Sequence, residues 1–190
     1  MKELIEAILT HGKAINEDVL LVDSFLNHQV DPLLMHHIGE TFAAFFRKKE
    51  IDRVLTIESS GIAPAAFTAY SLGVPLVIMK KQTSRIMTGD LIQTTVRSFT
   101  KGTEYQLTVK REFLPAGERV LFIDDFLASG EAAFGAIELV KEAGATVNGI
   151  GIVIEKSFQS GRKRLDALNI PVLSLARIHA MGPEGIEFLE

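Results

Sequence analysis

Residues 120–133 read VLFIDDFLASGEAA, and they contain the pattern that decides the fold. The first four residues are apolar and typical of a buried strand, which is predicted to end in two adjacent acids, Asp124 and Asp125. A short loop then passes through Gly130 into a helix predicted over residues 131–143. A buried strand that turns directly into a helix is the first half of a βαβ unit.

The rest of the chain shows the same alternation of short apolar strands and helices. The predicted strands are 53–58, 74–80, 103–111, 119–125, 146–157 and a final one over 171–178, and the predicted helices are 1–9, 31–49, 62–73, 131–143 and 162–168. This order predicts an α/β fold with a mainly parallel central sheet flanked by helices. In such sheets, ligands bind at the carboxyl ends of the strands.

Composition limits the function classes before any motif is considered. The chain has 190 residues, 47% of them hydrophobic, a net charge of −4 and no cysteine. This length predicts one domain over 1–190. Without cysteine there is no disulfide framework, thiolate zinc site or cysteine nucleophile, and a reducing cytoplasm fits the chain. The acidic balance argues against a nucleic-acid partner, and the short apolar runs and acidic start argue against a membrane span or a signal peptide.

The loop between the acids and the helix has the chemistry of a phosphate site beside a ribose site. Paired carboxylates such as Asp124 and Asp125 accept hydrogen bonds from vicinal hydroxyls. The free N–H groups at a helix start, together with the positive end of the helix dipole, bind anions. Gly130 permits close approach of the backbone, and Ser129 adds a hydroxyl. The predicted anion-binding residues are Ala128, Ser129, Gly130, Glu131 and Ala132.

This order of a buried strand, two acids, two bulky residues and then small–Ser–Gly resembles the 5-phosphoribosyl 1-diphosphate (PRPP) motif of type I phosphoribosyltransferases. The segments 22–35, 56–65 and 149–162 extend the resemblance over nearly the whole chain to the bacterial xanthine phosphoribosyltransferases. The resemblance implies the type I fold, with a small base-binding hood formed by about residues 1–30 and the C-terminal part. It also implies a homodimer that uses Mg²⁺ and PRPP to convert xanthine to xanthosine 5′-monophosphate and pyrophosphate.

Two further groups of site residues follow from position and resemblance. Ser59, Ser60 and Gly61 are expected to hold pyrophosphate, with a non-proline cis peptide near Ser59–Ser60. Of the two lysines that end the second strand, we expect Lys81 to face the ligand, where a cation could neutralise the departing pyrophosphate.

Asp124 and Asp125 are the predicted catalytic pair, expected to stabilise positive charge at the anomeric carbon. The resemblance implies that Mg²⁺ is held mainly by pyrophosphate and ribose oxygens, with this pair as the only candidate protein ligands.

The resemblance assigns the purine contacts to Leu20, Asn27 and Lys156, with Lys156 at the 6-oxo group. Their residue types alone would make Leu20 a core residue and Asn27 a turn residue. The polar, weakly periodic residues 82–102 predict a mobile loop or β-hairpin that closes over PRPP, with Ser98 and Lys101 as candidate phosphate contacts.

Two alternatives remain open at this point. Asn27 and Lys156 fit several 6-oxopurines, so the preferred base could be guanine or hypoxanthine. A non-catalytic regulator that senses PRPP is the second alternative, although the chain has neither a basic face nor a spare segment of domain length.

Overall fold

The secondary structure follows the predicted alternation closely. The structure is a computed structural model that describes residues 1–81, 89–97 and 104–189. Within these ranges the helices are α1 (Lys2–His11), α2 (Pro32–Phe46), α3 (Ile62–Leu72), α4 (Glu131–Glu142) and α5 (Gly161–Asp166). The strands are β1 (Lys13–Ala14), β2 (Leu20–Leu21), β3 (Arg53–Ile57), β4 (Leu76–Met79), β5 (Leu91–Arg97), β6 (Glu104–Lys110), β7 (Arg119–Leu127), β8 (Thr146–Lys156), β9 (Val172–Gly182) and β10 (Gly185–Phe188).

Six of the strands form the central sheet, in the order β10-β9-β8-β7-β3-β4. All neighbours in it are parallel except β10, which runs antiparallel to β9, so the prediction of a mainly parallel sheet is confirmed. The predicted final strand over 171–178 was too short, because β9 continues to Gly182 and the chain turns back as β10. Gly185, at a φ of 153°, begins that returning strand.

The sheet opens between β3 and β7 at its carboxyl edge. Only Arg53–Leu55 of β3 pair with β7, opposite Val120–Phe122. By contrast, β7 stays paired with β8 as far as Leu127. The chain leaves β3 toward β4 on one side and leaves β7 toward β8 on the other. Strand order therefore reverses at this point, and such a reversal creates the crevice in which open α/β sheets bind ligands.

The two sheet faces are covered by different parts of the chain. On one face, α2, α3 and the N-terminal segment pack over Leu121 and Ile123 of β7. On the other, α4 and the hairpin of β5 and β6 cover Val120 and Phe122. Successive strand residues alternate between faces, so the single run 120–123 serves both cores.

Helix α2 begins where the sequence predicts it. The Asp31 carboxylate accepts hydrogen bonds from the backbone N–H groups of Leu33 (2.9 Å) and Leu34 (3.1 Å), and Pro32 occupies the first helical position. This cap satisfies donors that a helix start otherwise leaves free. Among the helices within the described ranges, none combines the length and apolar character needed to cross a bilayer.

The N-terminal segment shares the first of these cores. Leu4 and Ile8 of α1, with Val22, Phe25 and Leu26, are at most 3% exposed and pack in the same cluster as the sheet residues. β1 and β2 form a small antiparallel pair between them. The segment predicted to be the hood is thus anchored to the sheet by apolar contacts.

The predicted loop or hairpin over 82–102 is partly described. Residues 91–97 form β5, which pairs antiparallel with β6 from Leu91–Lys110 to Arg97–Glu104, so this part is a hairpin. It packs closely on α4, since a Cβ added at Gly135 would lie 2.2 Å from Val96 Cγ2. Residues 82–88 and 98–103, including Ser98 and Lys101, lie outside the described residues.

Candidate active site

Two adjoining cavities lie at the carboxyl edge of the sheet. The larger, about 340 Å³, is lined by residues at the end of β3, in β7, in the segments after β3 and β4, and in α4: Ile57, Glu58, Ser59, Ser60, Gly61, Lys81, Asp124, Asp125, Phe126 and Ala132. The smaller, about 140 Å³, is lined by Tyr105, Asp124, the segment 126–132 and Ala133. Every described residue that was predicted to bind PRPP lines one of them, and Asp124 lines both.

Asp124 and Asp125 face the larger cavity from inside β7. The sequence predicts that this strand ends at Asp125, but β7 continues two residues further because β8 pairs with it up to Leu127. Asp124 is 8% exposed and Asp125 half-buried. The Asp124 Oδ1 accepts the Asp125 backbone N–H at 3.1 Å, which orients the Asp124 carboxylate.

The environment of Asp124 disfavours its charge. Burial first, and then the neighbouring charge of Asp125, raise the pKa of Asp124 well above its ordinary value, and Lys81 opposes this only in part. A buried carboxylate of this kind is stabilised by any cation or hydroxyl that enters the cavity. The site is therefore built to receive positive charge or hydrogen-bond donors.

The donor set at this pair suits Mg²⁺. Carboxylate oxygens are hard ligands of the type this ion prefers, and it commonly takes one or two of them together with substrate phosphates and water. In the described ranges no group of three or more His, Cys, Asp or Glu side chains converges. Asp124 and Asp125 could therefore hold the ion only together with oxygens of the substrate.

The loop after β3 forms the opposite wall. The cis peptide lies between Glu58 and Ser59, one bond earlier than the predicted Ser59–Ser60. Glu58 accepts a hydrogen bond from the Lys81 N–H at 2.8 Å, and its carboxylate lies 3.1 Å from Lys80 Nζ. Lys80 is thus paired with Glu58, while Lys81 lines the cavity.

The loop after β7 presents backbone donors. Gly130 has a φ of 91° and stands directly before α4, so no side chain of its own caps the helix. Its carbonyl accepts the Phe134 N–H at 2.9 Å, which starts the helical ladder. The first N–H groups of α4 remain available at the wall of the smaller cavity.

Lys156 joins the hood to this edge of the sheet. Its Nζ donates to the backbone carbonyl of Asp18 and lies 5.2 Å from the ring centroid of Phe126. Burial lowers the pKa of Lys156, and the charges of Asp18 and Asp125 offset part of that effect. A half-buried cation therefore stands between the hood and the carboxylate pair.

The other two predicted base contacts are placed differently. Leu20, in β2, is 6% exposed and packs in the hydrophobic core. Asn27 is exposed at the end of a π-helical turn, Asp23–Asn27. Like Lys156, neither is among the described residues that line the two cavities. Both positions agree with what their residue types alone predicted.

Sequence reasoning missed Glu155, which has no exposed surface. Its carboxylate accepts hydrogen bonds from Arg162 (3.0 Å) and Arg177 (3.3 Å), and from the hydroxyls of Ser157 and Ser174. Burial alone would raise the pKa of Glu155, but these donors hold it below its ordinary value. An acid at the end of a long apolar strand was the only signal in the sequence.

Comparison with known proteins places this architecture in a defined class. The model of the phosphoribosyl transferase domain matches residues 29–182, which include every strand of the central sheet except β10. Fold and site together define a type I phosphoribosyltransferase, a transferase enzyme.

Two relatives match along the whole chain. The chain is 54% identical over 189 residues to a xanthine phosphoribosyltransferase of Clostridium acetobutylicum, and 56% identical over 190 residues to xanthine phosphoribosyltransferase 1 of Clostridium botulinum strain Hall. Each match covers 100% of both chains. The chain belongs to the xanthine phosphoribosyltransferase family.

A solved structure supports the fold. The adenine phosphoribosyltransferase of Giardia lamblia, complexed with 9-deazaadenine, superposes with a TM-score of 0.79 at 24% identity. The match covers 93% of this chain and 98% of that one.

Proposed function

We propose that this enzyme transfers the 5-phosphoribosyl group of PRPP to N9 of xanthine, in purine salvage. The bond from the anomeric carbon to the pyrophosphate oxygen breaks, a bond from that carbon to N9 forms, and N9 loses its proton. The products are xanthosine 5′-monophosphate and pyrophosphate. The observation that carries the proposal is the carboxylate pair in the larger cavity, beside the loop after β3, with Asp124 of the pair also lining the smaller cavity beside the loop after β7.

PRPP fits these cavities by its chemistry. The 5-phosphate binds the free N–H groups of residues 128–132, where a helix start favours anions. The ribose hydroxyls donate to Asp124 and Asp125. The pyrophosphate lies against Ser59, Ser60 and Gly61, beside Lys81.

Catalysis follows from positioning and electrostatics. As pyrophosphate leaves, positive charge develops at the anomeric carbon, and the carboxylates of Asp124 and Asp125 stabilise it. Lys81 neutralises the negative charge on the departing group. Because xanthine is acidic, its proton is released to water without a protein base, so the pH–rate profile should follow ionisation of the substrate alone. An additional enzyme group in that profile would contradict this part of the proposal.

Xanthine is recognised between the hood and β8. Lys156 exchanges the Asp18 carbonyl for the 6-oxo group of the base, and a cationic donor there disfavours adenine, whose 6-amino group also donates. Leu20 contacts the base from the hood, and Asn27 reads the 2-oxo group. Because Asn27 is exposed and Leu20 packed in the core, this step requires the hood to move when the base binds.

The proposal includes Mg²⁺, a homodimer and a cytoplasmic location. Mg²⁺ would neutralise the charge of pyrophosphate, with Asp124 and Asp125 as its protein ligands. The homodimer rests on the resemblance to the family, and light scattering of the purified protein would test it. The location rests on the absence of cysteine and on the substrates.

The decisive experiment is a base panel. Purified protein, Mg²⁺ and PRPP are mixed separately with xanthine, guanine, hypoxanthine, adenine and orotate, and nucleotide formation is followed. We expect xanthine to be used with far higher efficiency. Preference for guanine or hypoxanthine would keep the enzyme class but contradict the role of Asn27 at the 2-oxo group, and preference for adenine would contradict the role of Lys156. PRPP binding without turnover of any base would indicate a regulator.

A matched variant tests the site itself. Asp125→Asn removes one carboxylate charge at nearly constant volume, and we expect a severe loss of turnover or a strong rise in the KM for PRPP in a folded protein. Full activity in this variant would overturn the assignment of the carboxylate pair.

A further inference from the structure

We propose that Arg164 is a positioning residue for the phosphate-binding loop. It lies on α5, outside both cavities. Its Nη1 donates to the Ser129 carbonyl at 2.7 Å and to the Glu131 carboxylate, and its guanidinium stands 4.3 Å from the ring centroid of Phe134. The Arg164 side chain thus contacts Ser129 in the loop, and Glu131 and Phe134 in α4, the helix that follows the loop.

The hydrogen bond to Ser129 fixes the orientation of a peptide group. In a planar trans peptide the carbonyl and the following N–H point in opposite directions. Because Arg164 holds the Ser129 carbonyl from the α5 side, the Gly130 N–H is turned away from α5. The cavity lies on that other side, lined by residues 126–133 without any residue of α5.

A second bond from α5 fixes the preceding peptide. The Gly161 N–H donates to the Ala128 carbonyl at 2.9 Å, which turns the Ser129 N–H away from α5 in the same manner. The start of α5 and the loop after β7 are in close contact, since a Cβ added at Gly161 would lie 2.3 Å from that carbonyl oxygen. α5 therefore fixes two consecutive peptides so that their donors face the phosphate side.

The ion pair with Glu131 has a separate effect. Glu131 is an acid within the loop that is to bind a phosphate, and an unpaired carboxylate would repel that ligand. Arg164 neutralises it at close range, and its planar guanidinium can also stack on Phe134, which a lysine could not do in the same way. The loop thereby keeps its backbone donors without a net negative charge.

The inference rests on the proposed function, because it assumes that this loop binds the 5-phosphate of PRPP. Arg164→Ala should raise the KM for PRPP about tenfold to hundredfold, the range expected for loss of a charge-assisted hydrogen bond. The KM for xanthine should stay within about twofold, because Lys156 and the hood are not contacted by Arg164. Arg164→Lys, which retains the charge but loses the planar group, should restore part of the loss. Lys163→Ala, an exposed lysine on the same helix, is the matched control and should leave both constants unchanged.

Calorimetric titration of the protein with PRPP, in the presence of Mg²⁺, tests this inference separately from the proposed function. If the parent protein forms no nucleotide with any base, the proposed function is wrong, while the ratio of PRPP affinities between parent and Arg164→Ala still tests the loop. An unchanged PRPP affinity, or equal rises in both KM values, would overturn the inference. Should Arg164→Ala not fold, Arg164→Gln takes its place with the same two outcomes.

Discussion

Gly61 and Asp124 are packed so closely that the glycine has no room for a side chain. A Cβ added at Gly61 would lie 3.2 Å from Asp124 Oδ1 and 2.4 Å from the Thr56 hydroxyl oxygen. The loop after β3 thus approaches the carboxylate of β7 directly across the crevice. The wall of the larger cavity depends on this contact.

We predict that Gly61→Ala impairs both stability and activity. The added methyl group must displace Thr56 or the carboxylate, and overpacking of this kind costs roughly 1–3 kcal/mol in the free energy of unfolding. Urea unfolding and the KM for PRPP would be measured. Gly182→Ala is the control, since a Cβ there meets no atom within 4 Å. Equal behaviour of the two variants would contradict the prediction.

Asp124→Asn should lower the activity and raise the stability of the protein at neutral pH. Because the pKa of Asp124 is raised in the folded state, its stabilising contribution is complete below the unfolded pKa of about 4. That contribution is lost as pH rises through the folded pKa. The variant removes this loss, so its Tm should exceed that of the parent at pH 7.5, and the difference should shrink toward pH 4.

Thermal unfolding across this pH range, with parallel activity assays, checks the result. Glu187→Gln, an exposed acid on β10, controls for the change in net charge. A variant Asp124→Asn that unfolds at a lower temperature than the parent at pH 7.5 would show that the carboxylate is not destabilised by burial.

The two lysines after β4 should respond differently. Lys81→Ala removes the cation that lines the larger cavity, and turnover should fall by roughly tenfold to thousandfold if it neutralises the departing pyrophosphate. Lys80→Ala removes only the ion pair with Glu58, so its effect should be much smaller. Steady-state kinetics with saturating xanthine would compare them, and a larger loss in Lys80→Ala would reverse their roles.

Lys156→Met should change the use of the base more than the use of PRPP. The variant keeps the apolar stem beside Phe126 but removes the charged donor. We expect kcat/KM for xanthine to fall about tenfold to hundredfold, as for loss of one hydrogen bond from a charged group. The KM for PRPP should remain nearly constant. A rise confined to PRPP would remove Lys156 from the base site.

Much of the fold could be predicted because local signals agreed with the tertiary result. Asp31 caps α2 and Pro32 begins it as expected, and the apolar runs form the parallel strands. The sheet predictions that were wrong concerned the end of one strand and the presence of another, both of which depend on pairing with a neighbouring strand. β7 extends beyond Asp125 because β8 pairs with it, and β10 forms because β9 offers it a free edge. In both cases the strand is extended or formed by hydrogen bonds to a neighbouring strand, which its own sequence does not report.

The sequence by itself determined which chemical groups stand at the strand ends: the two acids, the glycine-led loop, the serines and the lysines. The types of these residues and their order are properties of short stretches of sequence, so a sequence motif can identify them. Only the tertiary structure decided which of these groups meet across the crevice, that Lys81 lines the cavity while Lys80 turns to Glu58, and that Arg164 holds the loop from behind. Arg164 lies 35 residues beyond Ser129, and a contact over that separation exists only once α5 has packed beside the loop.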